Sequence, residues 1–146
     1  MNLVSVVLPL LAFVTSVAAQ ASHIGYPTAG TQIQPGQSLS VQVVKDVSIM
    51  GSIEVGLVLS LQYCPPPNAC PNPVNELGFV LYTGKWTQTG QNPRQGEMWD
   101  NITVTIPDYD FQFPAPARLI ETRFHLIGGG PAAVLETNTV DLQLVD

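Results

Sequence analysis

Charge is scarce in this chain, and positive charge is scarcest. Only 11% of its 146 residues are Asp, Glu, Lys or Arg, and five basic side chains face 11 acidic ones for a net charge of -6. The five (Lys45, Lys85, Arg94, Arg118 and Arg123) are scattered, with no stripe or cluster among them. Nucleic-acid binding needs a cationic footprint that displaces counterions, and docking on an anionic membrane surface needs the same, so both are disfavoured. Histidine and cysteine number two each, but His23 and His125 lie far apart in the chain and form no second short-spaced pair, as the paired ligands of a structural zinc site require. No Ser or Cys sits in a nucleophile motif such as G-x-S-x-G, which argues against triad catalysis, and we assign no catalytic residue, cofactor or metal ligand. Helical patterning is missing as well: after Ala19 no segment longer than a few residues shows apolar spacing of period 3.6.

One long hydrophobic run is present, at the start. Leu3 to Val14 is apolar, is broken by Pro9, and is followed by Val17-Ala-Ala19, whose small residues suit signal-peptidase cleavage. An uncleaved anchor would need about 20 apolar residues, and Gln20 to His23 arrive too early for that. Residues 1–19 are therefore expected to be a signal peptide and 20–146 a single secreted domain, a length that suits one hydrophobic core.

The remainder alternates with period 2 between Pro and Gly punctuation, the pattern of strands. Leu39, Val41 and Val43 share one face of a first strand after the Pro35-Gly36 turn. From Ser52 to Tyr63, Ile53, Val55, Leu57, Leu59 and Leu61 fall on one side and are expected to centre the core. Glu54, Gly56, Val58, Ser60 and Gln62 fall on the wetter side. Further strands are expected over His23 to Tyr26, Leu77 to Tyr82, Trp99 to Ile106, Leu119 to Ile127 and Val134 to Val145, the last with a bulge. Gly84 to Gly96 reads as a long polar loop. About seven short strands suit an all-β fold, an immunoglobulin- or fibronectin-like β-sandwich.

Cys64-Pro-Pro-Pro-Asn-Ala-Cys70 has the wrong spacing for a redox pair and no short-spaced second ligand pair to make a zinc site with, so in a secreted chain it reads as a disulfide closing a small loop. Its three prolines stiffen the loop and stop the strand before it, which suits a structural staple or a rigid partner-contacting loop. Asn101-Ile-Thr103 is a glycosylation sequon. Among the acids, Asp100, Asp108 and Asp110 near Trp99 and Tyr109 could cleave glycosides or bind calcium, and solvated turn residues explain them as well. Two binding readings stay open. A row of Tyr82, Trp86, Trp99 and Tyr109 would suit a cell-wall or carbohydrate-binding module. A copper protein would need His23 at the mature N-terminus and His125 brought to it.

Taken in order, Ile24-Gly-Tyr-Pro-Thr-Ala-Gly30, Gln34-Pro-Gly-Gln-Ser-Leu-Ser-Val-Gln-Val43 and Gly51-Ser-Ile-Glu-Val55 resemble the fungal necrosis-inducing secreted effector family (Nis-type). Leu77 to Gly84, Asn101 to Pro107, Arg123 to Pro131 and Leu135 to Asn138 are similar to later blocks of the same pattern, so the likeness covers nearly the whole mature chain. The resemblance implies a secreted protein that suppresses plant pattern-triggered immunity by binding host immune receptor-associated kinases, without catalysis of its own. After secretion, action outside plant cells and action in the host cytoplasm both stay open. Exposed, stiff or Gly-rich elements lose little entropy on docking, and on that ground the expected contact residues are Phe124, His125, Gly128, Gly129, Gly130 and Pro131, beside the Cys64 clasp. Core placement of Phe124 and a simple turn at the three glycines are the competing readings.

Overall fold

The computed structural model describes residues 21–48, 50–92 and 96–146. The expected signal peptide lies outside the described residues, as does Arg94. Nine strands are present among them: β1 (Ser22–Tyr26), β2 (Gln32–Ile33), β3 (Ser38–Asp46), β4 (Ser52–Tyr63), β5 (Phe79–Gly84), β6 (Gly90–Asn92), β7 (Glu97–Thr105), β8 (Ala115–Ile127) and β9 (Ala132–Leu144). They form a four-stranded sheet in the order β1-β3-β7-β6 and a five-stranded sheet in the order β2-β9-β8-β4-β5. The two sheets pack face to face, so the all-β sandwich expected from period-2 patterning is the observed fold. No described helix is long and apolar enough to cross a membrane.

The core lies where alternation puts it in β3, β7 and the C-terminal half of β4. Val41 and Val43 meet Leu57, Leu59 and Leu61 across the gap, joined by Ile102, Val104, Leu119, Leu142 and Leu144, all buried. Each such aliphatic contributes about 1.5–3 kcal/mol by leaving water, before ordering costs.

Two expectations need correction in β4. Ile53 and Val55 were expected inside with Leu57, yet both are exposed. Glu54 pairs with His125 and Gly56 with Phe124, so Val55 is an extra residue with no partner, a bulge that reverses the phase of the strand. Before it, Glu54 points inward and the aliphatics outward; after it, Leu57 points inward. The bulge expected in β9 is absent, for Ala132 to Leu144 pair with β8 in unbroken register.

The segment Cys64 to Gly78 folds back over the outer face of the large sheet. Gln62, expected on the wetter side, is buried beneath it and donates its amide to the carbonyls of Pro71 and Glu76. Ser60 and Ile120, which also face outward, are covered at the same end. Gly78 makes the return possible: its φ is 72°, and a Cβ there would collide with the Leu61 carbonyl oxygen. The loop expected from Gly84 to Gly96 contains β6, and its Trp86 plugs into the core.

Candidate functional site

Beyond the bulge, the strands β4, β8 and β9 invert the usual arrangement, with charge inside and carbon outside. In β8, Glu121, Arg123 and His125 alternate in phase with the buried Ala117 and Leu119, so the pleat carries them between the sheets. Arg123 is wholly buried and sets its guanidinium as a fork on Glu54, Nε to Oε2 and Nη2 to Oε1 at 2.7 Å each, while Nη1 donates to Glu136 Oε2 at 3.1 Å. Its planar head also lies 5.1 Å from the centre of the Trp86 ring, a stacking that suits a desolvated cation. Lys45 of β3 completes the pairing, donating to Glu54 Oε1 at 2.9 Å and to the Ser52 hydroxyl.

A third carboxyl, Glu121, sits at the entrance of the chain into β1. It accepts hydrogen bonds from the Ser22 hydroxyl and from Asn138 Nδ2, while the Ser22 backbone N–H donates to Glu136. Burial drives its pKa up from 4.5 to about 7, the two hydrogen bonds resisting and the neighbouring Glu136 charge adding to the rise. Burial also works to raise Glu54, but the hydrogen bonds and charges of Arg123 and Lys45 outweigh it and hold that carboxyl at about 2. His125 is lowered by burial first and by Arg123 second, and neither ring nitrogen has a hydrogen-bond partner. Glu121 and His125 are 0% and 1% exposed, so a substrate does not reach the two groups best tuned for proton transfer.

The outer side of the same strands is carbon. Ile53 is opposite Leu126, Gly56 opposite Phe124, and Phe124 in turn opposite Leu135. Ile53, Phe124 and Leu135 are exposed, Leu135 at 70%. Two shallow grooves flank them. One, of about 250 Å³, has Gly56 and Gly84 in its floor and Phe124 and Leu135 on its wall. The other lies among Met50, Ile53, Gly128 and Gly129. None of the side chains named along these grooves is charged.

Of the expected contact residues, Phe124 and the turn Gly128 to Pro131 are at the surface, Gly128 with a φ of 87°. His125 is corrected: the pleat that exposes Phe124 buries its neighbour. Cys64 and Cys70 are disulfide-bonded, with Cα atoms 4.9 Å apart, and Pro66 to Ala69 are exposed at the tip of the clasp. Asn101 and Thr103 both lie on the exposed side of β7, as an accessible sequon requires.

The alternative sites do not assemble. Trp86 is buried, Trp99 packs its ring against Gly90, and Tyr82 donates its hydroxyl to the Lys85 carbonyl, so no flat row of aromatics forms with Tyr109. His23 points outward from β1 whereas His125 points into the core, and no described group of three or more His, Cys, Asp or Glu is arranged to hold a metal ion. Asp100 accepts hydrogen bonds from Thr89 and Asn101 within its sheet, apart from Asp108 and Asp110 on the loop after β7. Compared with known proteins, the sequence matches no family model, and a search of curated proteins finds no significant relative.

Proposed function

We propose that the protein is a secreted fungal effector that suppresses plant pattern-triggered immunity by binding host immune receptor-associated kinases and interfering with their activity. Such a protein is exported and then acts on the host, including its cytoplasm. The reading rests on the resemblance in the Ile24 to Val55 and Arg123 to Pro131 blocks, and one structural observation supports docking as its mode of action. That observation is the uncharged outer face around Ile53, Phe124 and Leu135, at the end of the strands where Glu54, Arg123 and Glu136 are turned inward. A contiguous apolar patch on a soluble domain marks an interaction surface, and a rigid sheet loses little entropy when it docks. The sequon on the opposite sheet leaves this face clear of any glycan at Asn101.

The test is expression of the mature chain in leaf tissue, followed by the oxidative burst after a microbial elicitor. A burst reduced several-fold is expected, with reduction lost for Phe124→Asp at equal protein level. An unchanged burst at good expression would refute the proposal.

A further inference from the structure

A second surface, at the opposite end of the sandwich from the ionic interior, has a different chemistry. The loop 107–114 between β7 and β8 has no regular secondary structure, yet its rings are held in a cluster of tilted and edge-on contacts. Phe111 is buried and lies 4.9 Å from Tyr63, 5.8 Å from Phe79 and 5.2 Å from Tyr109, centre to centre. Tyr109 also touches Phe79 at 5.3 Å, and Phe113 reaches Phe111 at 6.4 Å. The Gln112 N–H donates to the Tyr63 hydroxyl at 2.9 Å and ties the loop to the end of β4. Anchored in this way, Tyr109 and Phe113 still present their outer sides to solvent, Tyr109 at 56% exposure.

A groove of about 390 Å³ opens between Pro35, Tyr109 and Phe113, with Asp108, Asp110 and Asp146 around it. Among the described residues none of these three acids has an ion-pair partner, and no described cation lines the groove. Of the four described cations, Lys45 and Arg123 are inside the ionic cluster, Arg118 is bridged to Asp141, and Lys85 is exposed outside the groove lining. The result is a rigid aromatic shelf rimmed by uncompensated negative charge. A guanidinium fits that combination, because its plane stacks on a ring while its N–H groups fork to carboxylates.

We infer that this shelf docks an arginine-bearing basic segment of a protein partner. The inference rests on the docking reading above and adds a second contact, separate from the Phe124 face. Affinity comes from stacking on Tyr109 and Phe113, and steering comes from Asp108, Asp110 and Asp146, so binding weakens with salt.

The experiment is an NMR titration of the ¹⁵N-labelled secreted protein with the blocked peptide acetyl-Gly-Arg-Gly-Arg-Gly-Arg-amide. A Glu-for-Arg peptide and a chitin hexamer serve as comparisons. Amide shifts are expected at Gln34, Gly36, residues 108–113 and Asp146, with affinity down roughly tenfold for Tyr109→Ala and for the double change Asp108→Asn, Asp110→Asn. The double change leaves the ring cluster intact, so its loss of binding is not a loss of fold, and Glu76→Gln elsewhere should alter nothing. Shifts spread over acidic residues across the whole surface would overturn the inference, as would no shift at all. So would a chitin hexamer moving the shelf amides when the peptide does not. No plant component enters the titration, so it can fail while the burst assay succeeds, and the reverse.

Discussion

Arg123 and Phe124 are neighbours in β8 and face opposite ways: the guanidinium is sealed between the sheets, and the phenyl ring lies against solvent. The pleat requires them to differ, but ordinary patterning would have placed them the other way round. The bulge at Val55 matches the inversion on the partner strand by setting Glu54 opposite His125, in reach of Arg123, and Gly56 opposite Phe124. Turning Arg123 outward would strand Glu54 and Glu136 in the core and bury Phe124 in their place. The register of the large sheet is therefore specified by ion pairing at one end and by apolar burial at the other.

Removing Arg123 alone should be among the most damaging changes in the protein. Arg123→Met leaves Glu54 and Glu136 buried without their fork, at a cost of about 3–5 kcal/mol. The double change Arg123→Met, Glu54→Met should cost less than the sum of the two singles by at least about 1 kcal/mol. Urea unfolding of the four proteins measures both quantities.

Glu121 and Glu54 give stability opposite pH dependences. Glu121 is raised from 4.5 to about 7 in the fold, so between those values the folded protein holds a proton that the unfolded chain has shed. Its contribution is fully present below about pH 4.5 and is lost as pH rises through about 7, by on the order of 3 kcal/mol. Glu121→Gln should remove that decline, leaving a flatter stability profile between pH 5 and 8. Glu54, held at about 2, contributes stability above pH 4.5 that disappears as pH falls toward 2. His125, lowered by burial, adds a further loss as pH drops below its ordinary 6.5. Comparing each variant with the parent at matched pH separates the three groups.

Gly78→Ala should destabilise the protein by at least about 2 kcal/mol, since it combines a left-handed backbone with a collision against the Leu61 carbonyl. Gly51→Ala, where a Cβ meets nothing, should stay within about 0.5 kcal/mol. Thermal unfolding of the two variants checks the contrast. Replacing both Cys64 and Cys70 with Ser should cost about 2 kcal/mol for so small a loop. The clasp also covers Gln62, and its loosening should raise hydrogen exchange at Asn72, Val74, Asn75 and Glu76 and in the strand beneath.

Much of the scaffold was legible from alternation. The strands from Leu39 to Val43 and from Leu57 to Leu61 emerge where their spacing puts them, because burial of one face is the strongest force acting on a strand. The error in β4 came from reading Ile53 to Leu61 as one unbroken period. Gly56 inside the strand was the available cue, since an interior glycine often marks a bulge. The ionic interior also left a trace. Glu121, Arg123 and His125 fall in phase with Ala117 and Leu119, in a chain with few charges to spare. Nothing local indicated that Cys64 to Gly78 would fold over the sheet, because that return depends on Gln62 finding carbonyls 9 and 14 residues away. The aromatic cluster joins Tyr63, Phe79 and the loop 107–114 across the tertiary fold, and spacing along the chain carries no sign of it.

The proposed function rests on the outer face. Phe124→Asp and Leu135→Asp place a charge in solvent and should change stability by less than about 0.5–1 kcal/mol, because both side chains are already exposed. Their effect should fall on binding. The most direct measurement is the affinity of the purified secreted protein for purified kinase domains of plant receptor-associated kinases, by calorimetry, with Phe124→Asp alongside. Saturable one-to-one binding by the parent, weakened tenfold or more by Phe124→Asp at unchanged thermal stability, is the predicted result. No saturable binding to any kinase domain, or equal affinity for parent and variant, would contradict it.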